Sequence, residues 1–190
     1  MRYKYLLVIF TLCFCLLTVH SYAASPTISP TISSIPEVKE VNYQLPYPGI
    51  LPDNPLYPLK VFRDKVYDLL LSDPIKKAEF KLLMADKRLA MSYLLLNKTK
   101  TQLSEQTVSK ASKYYEEAVL VLFKAEKKGR EVSFLRQKLI DASLKHEELI
   151  VGFQKGATSE VKSGLQGSLE RILKYRQELL VNKQNLQDKK

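Results

Sequence analysis

Two of the residue types that most often carry chemistry are scarce in this chain. Its 190 residues include two cysteines, Cys13 and Cys15, and two histidines, His20 and His146. Three of these four fall in an N-terminal stretch with the layout of a leader, so the remainder has no thiol and a single imidazole. Disulfides, thiolate catalysis and cysteine-ligated metal are thereby excluded from that remainder. A lone imidazole does not make a conventional zinc site either. The six glycines form no phosphate-cradling loop. No Ser nucleophile elbow and no His-Glu-x-x-His helix is present. The sequence therefore predicts no catalytic residue, no metal site and no cofactor. Proline is missing from everything beyond Pro74, because all nine prolines lie between Pro26 and Pro74.

What the first residues do contain is the pattern of a secretory leader. Arg2 and Lys4 precede an apolar run from Leu6 to Leu17. That run is shorter than the about 20 residues of a spanning helix and fits the roughly 7 to 15 of a leader's apolar core. Ser21 and Ala23 then set small side chains before a cut between Ala23 and Ala24, the spacing a signal peptidase accepts. Residues 1–23 are expected to be a cleaved signal peptide, the alternative being a retained anchor. Leu12 and Phe14, which precede the cysteines, are too large for a lipid-modification site. No later stretch is long and apolar enough to span. The expected product is secreted or extracytoplasmic, in the periplasm or at the cell surface.

Loss of Arg2 and Lys4 takes the basic residues from 30 to 28 against 20 acids, a formal charge of +8. Such a charge steers anionic partners to a surface, whether nucleic acid, cell-wall polymer or lipid head groups. Lysines interspersed with glutamates also serve solubility alone. One cluster, Lys124, Lys127, Lys128 and Arg130, falls near the end of a helix, where cations favour the helix dipole. Its functional alternative is contact with an anionic surface.

Residues 24–45 are Ser, Thr and Pro with isolated Ile and Val. They bury too little apolar surface to offset ordering entropy and are expected to form a flexible, disordered linker. From Leu45 to Pro58 runs a proline-locked apolar passage, punctuated by Tyr47 and Tyr57 and preceded by Tyr43. Its fixed φ angles and bulky side chains predict a segment laid across helices; a glycan or peptide platform is the other reading. A first helix is expected from Pro58 to Leu71, and a second begins with Asp73 as N-cap and Pro74 in the first turn.

Beyond Pro74 apolar residues recur in steps of three and four, the beat of amphipathic helices. The seams are Ile75, Ala78, Leu82, Ala85, Leu89, Tyr93 and Leu96, ended by the polar run 97–102; then Val108, Ala111, Tyr115, Ala118, Leu122 and Ala125, stopped at Gly129. Two more follow: Leu135, Leu139, Ala142, His146, Leu149 and Phe153, and Val161, Leu165, Ile172, Tyr175, Leu179 and Leu186. Long helices joined by short turns prefer antiparallel neighbours. The expected fold is all-α, an elongated up-and-down bundle of about five helices over residues 46–190. Monomer and helical homodimer both fit.

The passage Leu51-Pro52-Asp53-Asn54-Pro55-Leu56-Tyr57-Pro58-Leu59-Lys60, with Asp73-Pro74, Lys77-Ala78-Glu79 and Ala85-Asp86-Lys87-Arg88-Leu89-Ala90, resembles a family of exported microbial helical domains, domain of unknown function 5667. The likeness covers about residues 48–155 and rests on Pro52, Asp53, Pro55, Tyr57, Lys60, Asp73, Pro74 and Arg88. It implies an exported or surface-attached helical domain of a bacterium or archaeon. It implies no activity, ligand or catalytic residue.

His146 lies on an apolar seam, and Glu147 and Glu148 turn away from it around the helix, as adjacent helical positions do. A core or boundary histidine is expected. The leading functional expectation is thus an exported, non-enzymatic structural or interaction domain of the cell envelope with a protein or cell-surface partner. A binder of anionic polymers is the alternative, and a hydrolase using carboxylates or His146 a third.

Overall fold

The computed structural model describes residues 42–187. The expected signal peptide, its cut between Ala23 and Ala24, and linker residues 24–41 lie outside them. Among the described residues there are five α-helices and no strand: α1 Tyr57–Leu70, α2 Pro74–Asn97, α3 Thr101–Lys127, α4 Ser133–Gln154 and α5 Ser159–Gln187. The all-α expectation holds. None of these helices is long and apolar enough to cross a membrane.

Local chemistry sets the helix ends. Asp73 Oδ1 accepts from the Ile75 N–H at 2.8 Å and Pro74 opens the first turn of α2. α2 and α3 finish in the same cap. Thr99 N donates to Leu96 O and Lys100 N to Leu95 O, both at 2.9 Å; Gly129 N donates to Glu126 O at 2.8 Å and Arg130 N to Ala125 O at 3.2 Å. This is the Schellman motif, which needs a left-handed residue at its turn. Gly129 supplies it with φ 74°, and Thr99 with φ 58°. The cap turns the chain so tightly that only residues 98–100 of the polar run leave the helices.

α2 and α3 form one antiparallel hairpin, with Ser104 Oγ donating to Ser92 O at 2.8 Å and Lys81 pairing with Glu117 at 2.6 Å. α4 and α5 form a second, closed by Arg176 with Glu147 at 2.5 Å and Arg136 donating to Leu179 O at 3.3 Å. The hairpins lie side by side with like helices parallel. Asp86 and Tyr93 of α2 meet His146 and Phe153 of α4, while Ser112 and Glu116 of α3 meet Arg171 and Tyr175 of α5.

The seams meet in one core, with Leu82, Leu89, Tyr115, Leu122, Leu139, Ile172 and Leu179 essentially sealed from water. Burying each leucine stabilises by about 1.5–3 kcal/mol. One seam residue turns outward. Tyr93 is 40% exposed, and Ser92 and Leu95 take its place inside.

The segment before α1 also differs. Tyr43 and Leu45, placed in the linker by composition, pack against the core, so contact with the bundle starts before residue 46. Tyr47, expected to pack, is 83% exposed while Pro48 beside it is buried.

Candidate functional site

α1 is packed the other way round from an ordinary surface helix. Its buried residues are Lys60 and Asp64. Its outward side carries Leu59, Phe62, Val66, Leu69 and Leu70, with Leu56 just ahead, all exposed and most of them more than half so. Steps of three and four put these side chains on one stripe, the kind a globular helix normally turns to its core.

The inward charges are tolerated because they are paired. Lys60 Nζ donates to Asp64 Oδ2 at 3.0 Å, and Arg63 donates to Asp64 Oδ1 at 2.8 Å. Asp68 accepts from Lys81 at 3.0 Å. Burial would raise the Asp64 carboxyl, but the bonds from Arg63 and Lys60 outweigh it and hold the group below the usual carboxylate range. The α1 backbone stays away from the other helices, and long side chains span the gap, among them Tyr67, whose ring centroid is 5.0 Å from that of Phe80.

That gap is an open groove of ≈ 770 Å³. Tyr67, Leu71, Phe80, Leu83 and Met84 give it apolar lining, and Arg63, Lys76, Lys87 and Lys138 bring four cations. Of its acids, Asp64 is already paired and Glu79 is exposed. The Lys87 ammonium is pushed down by burial and then by Lys60, with Arg63 adding to the crowding and Asp64 opposing it. An anion in the groove would relieve that repulsion.

A second cluster lies inside the bundle. His146 Nε2 is 2.7 Å from Asp86 Oδ1, and Tyr43 Oη donates to Asp86 Oδ2 at 2.7 Å. The Tyr115 ring stands edge-on to His146 at 5.6 Å, and its hydroxyl donates to Leu139 O at 3.1 Å. An Asp–His pair can orient an imidazole for proton transfer. Here His146 is 1% exposed, Asp86 4%, and both carboxylate oxygens are engaged. The cluster fastens three helices and the lead-in segment together.

Residues 49–188 match the family described as Domain of unknown function (DUF5667). The chain belongs to the DUF5667 family. The match takes in α5 as well, beyond the stretch that carries the resemblance. No curated protein and no solved structure matches the chain.

In this DUF5667 domain the motif residues join the lead-in to the bundle. Pro52 and Pro55 sit in the turns before α1, and Asp53 accepts from Lys98 at 3.2 Å and Lys100 at 2.9 Å, tying them to the α2–α3 turn. Tyr57 opens α1 and Lys60 pairs with Asp64. Asp73 and Pro74 start α2. Arg88 is buried with its guanidinium 4.2 Å from the centre of the Tyr114 ring, and donates to Met84 O at 3.3 Å.

The cluster singled out by charge, Lys124, Lys127, Lys128 and Arg130, is exposed at the end of α3, and Arg130 reaches back to Asp73 at 3.4 Å. The groove cations escape sequence reading because they come from three helices and form no local run. Asp86 escaped as the partner of His146 because it lies 60 positions earlier. Its one signal is an acid set among the apolar seam residues Ala85 and Leu89. Among the described residues no three potential metal ligands gather.

Proposed function

We propose that this DUF5667 chain is an exported, non-enzymatic helical domain that works by docking, with α1 and its groove as the contact face. The observation that carries the docking reading is the inversion of α1. Three of its charged residues are spent inward, Lys60 with Asp64 and Asp68 with Lys81 of α2, and its apolar stripe is left in water. Each Å² of that stripe costs about 25 cal/mol, and contiguous exposed apolar patches mark interaction sites. Export is supported by the leader pattern of residues 1–23, and a non-enzymatic role by the shortage of thiol and imidazole.

The test is fractionation of the native host followed by N-terminal sequencing. The recovered chain should begin at Ala24 and travel with the envelope. Phe62→Ser with Leu69→Ser should release it to the soluble fraction with helicity intact. A cytosolic chain that keeps residues 1–23 overturns export, and a variant that fractionates like the parent overturns docking.

The four groove cations favour a second reading, a binder of anionic polymers. In that case polyanion binding survives the stripe substitutions, is lost with Lys76→Gln and Lys138→Gln, and weakens steeply with salt.

A further inference from the structure

We infer that α1 and its groove seat the domain on the surface of an anionic lipid bilayer, the stripe entering the interface and the flanking cations meeting head-group phosphates. This rests on the docking reading above and names the occupant of that face.

The first support is the distribution of charge. Both acids within α1, Asp64 and Asp68, are paired with cations, and Asp64 is buried. Arg63 and Lys65 are exposed, and helical spacing places them on opposite flanks of the stripe. Whatever meets Phe62 and Leu69 therefore meets apolar surface edged by positive charge. This is the pattern of a helix lying in a membrane interface, its apolar face roughly 5–10 Å deep and its cations at head-group level. Each cation held near an anionic leaflet raises affinity by about fivefold.

The second support is the groove beside it. Lys76, Lys87 and Lys138, with the exposed Glu79 as the one acid among them, extend the positive edge beyond α1, around the apolar side chains of Phe80 and Leu83. Apolar lining under a cationic edge suits an anionic head group with the start of its acyl chain. α1 need not unfold to reach the bilayer, because Lys81–Asp68 and the Tyr67–Phe80 ring contact hold its inner side to the bundle.

A second copy suits this face less well. A two-fold contact along the stripe sets Arg63 and Lys65 of both copies beside one seam, and like charges there repel. Seating at the surface also agrees with the absence, among the described residues, of a helix able to span.

The experiment is vesicle co-sedimentation of the chain purified from its host, beside the F62S/L69S variant and a Lys65→Gln/Lys76→Gln/Lys138→Gln variant. All three carry the same N-terminus, so its contribution cancels. The parent should sediment with mixed phosphatidylcholine–phosphatidylglycerol vesicles and much less with pure phosphatidylcholine. The stripe variant should bind at least about tenfold more weakly, and the charge variant about fivefold more weakly per cation removed. Circular dichroism should match in all three.

Failure of the parent to sediment, or equal binding by the stripe variant, overturns the inference. So does a stripe variant whose change is loss of a dimer in sedimentation velocity, since the occupant is then a second copy. If vesicles are ignored while the variant still leaves the envelope fraction of cells, the docking reading survives and the lipid does not. If fractionation is also unchanged, both fall.

Discussion

Asp86 Oδ1 and His146 Nε2 stand 2.7 Å apart across 60 positions of sequence, with Tyr43 on the other carboxylate oxygen at the same distance. Removing one partner leaves a buried acceptor unsatisfied, which costs more than the bond itself contributes. His146→Ala is expected to destabilise by about 3 kcal/mol, from the lost bond and the cavity together. Tyr43→Phe should cost about 1 kcal/mol. Urea midpoints at unchanged m values measure both, and a double-mutant cycle between the two positions should be non-additive. An unchanged midpoint for His146→Ala contradicts this account.

Stability should fall at both extremes of pH. Burial raises the Tyr115 phenol, and burial followed by the Asp86 charge raises Tyr43. The hydrogen bond to Glu116, then burial, pushes Tyr175 up to about 12. An unfolded tyrosine ionises near pH 10. The folded chain keeps protons that the unfolded chain releases, so this stability is whole below about pH 10 and lost as pH rises through the folded values. For Tyr115 the slope is about 1.4 kcal/mol per pH unit. Asp64 and Asp73 act with the opposite sign. Burial opposes the lowering of Asp64 but is outweighed by Arg63 and Lys60, while the Ile75 N–H lowers Asp73 first. Their stability is present above about pH 3.9 and lost as pH falls through their depressed values. Urea midpoints against pH should show both limbs, and Tyr175→Phe should flatten the alkaline one.

Thr99 occupies in the α2 cap the position that Gly129 occupies in the α3 cap. A β-branched residue in the left-handed region costs roughly 1–2 kcal/mol. Thr99→Gly should therefore stabilise by about 1 kcal/mol and raise Tm by about 2–4 °C, despite losing the exposed hydroxyl bond to Lys98 O. Gly167→Ala should give a similar gain, since an added Cβ meets nothing within 4 Å. Gly164→Ala should give less, because its Cβ lands on the Glu105 side chain, which must swing aside. Thermal melts of the three variants rank these effects.

Asp64→Ala should loosen α1 and leave the bundle folded. The substitution strands the Lys60 ammonium in a buried site, and a buried charge without its partner is costly. Because α1 is joined to the bundle chiefly through side chains, the chain can relieve that cost by letting α1 lift. Limited proteolysis should then cut within Tyr57–Leu70 at least about tenfold faster, as open populations rise with about 1.4 kcal/mol or more of local destabilisation. Cleavage inside α3 should not change.

The long helices were legible in the sequence because burial imposes a period, and Leu82, Leu89, Ala111, Tyr115, Leu139 and Leu179 keep it. The orientation of α1 was not. Leu59, Phe62, Val66 and Leu69 repeat the same beat while facing outward. Periodicity says that a helix has two faces; which one is buried depends on whether its charges find partners inside, and Lys81 lies 13 positions from Asp68 in a different helix. The groove was hidden for the same reason, its cations being gathered by packing from Arg63, Lys76, Lys87 and Lys138. The entry angle of the lead-in escaped too, since Tyr43 lies between the polar Asn42 and Gln44 and Tyr47 between Pro46 and Pro48, yet it is Tyr43 that turns inward to a carboxylate.

Two hairpins set side by side also dictate an order of folding. Contacts within each hairpin, such as Ser92 with Ser104, close short loops, while Asp86 with His146 and Ser112 with Arg171 close loops of about five times the length. Local contacts form early and distant ones late. Substitutions inside a hairpin should slow refolding, and those between hairpins should mainly speed unfolding, leaving the refolding arm of the chevron in place.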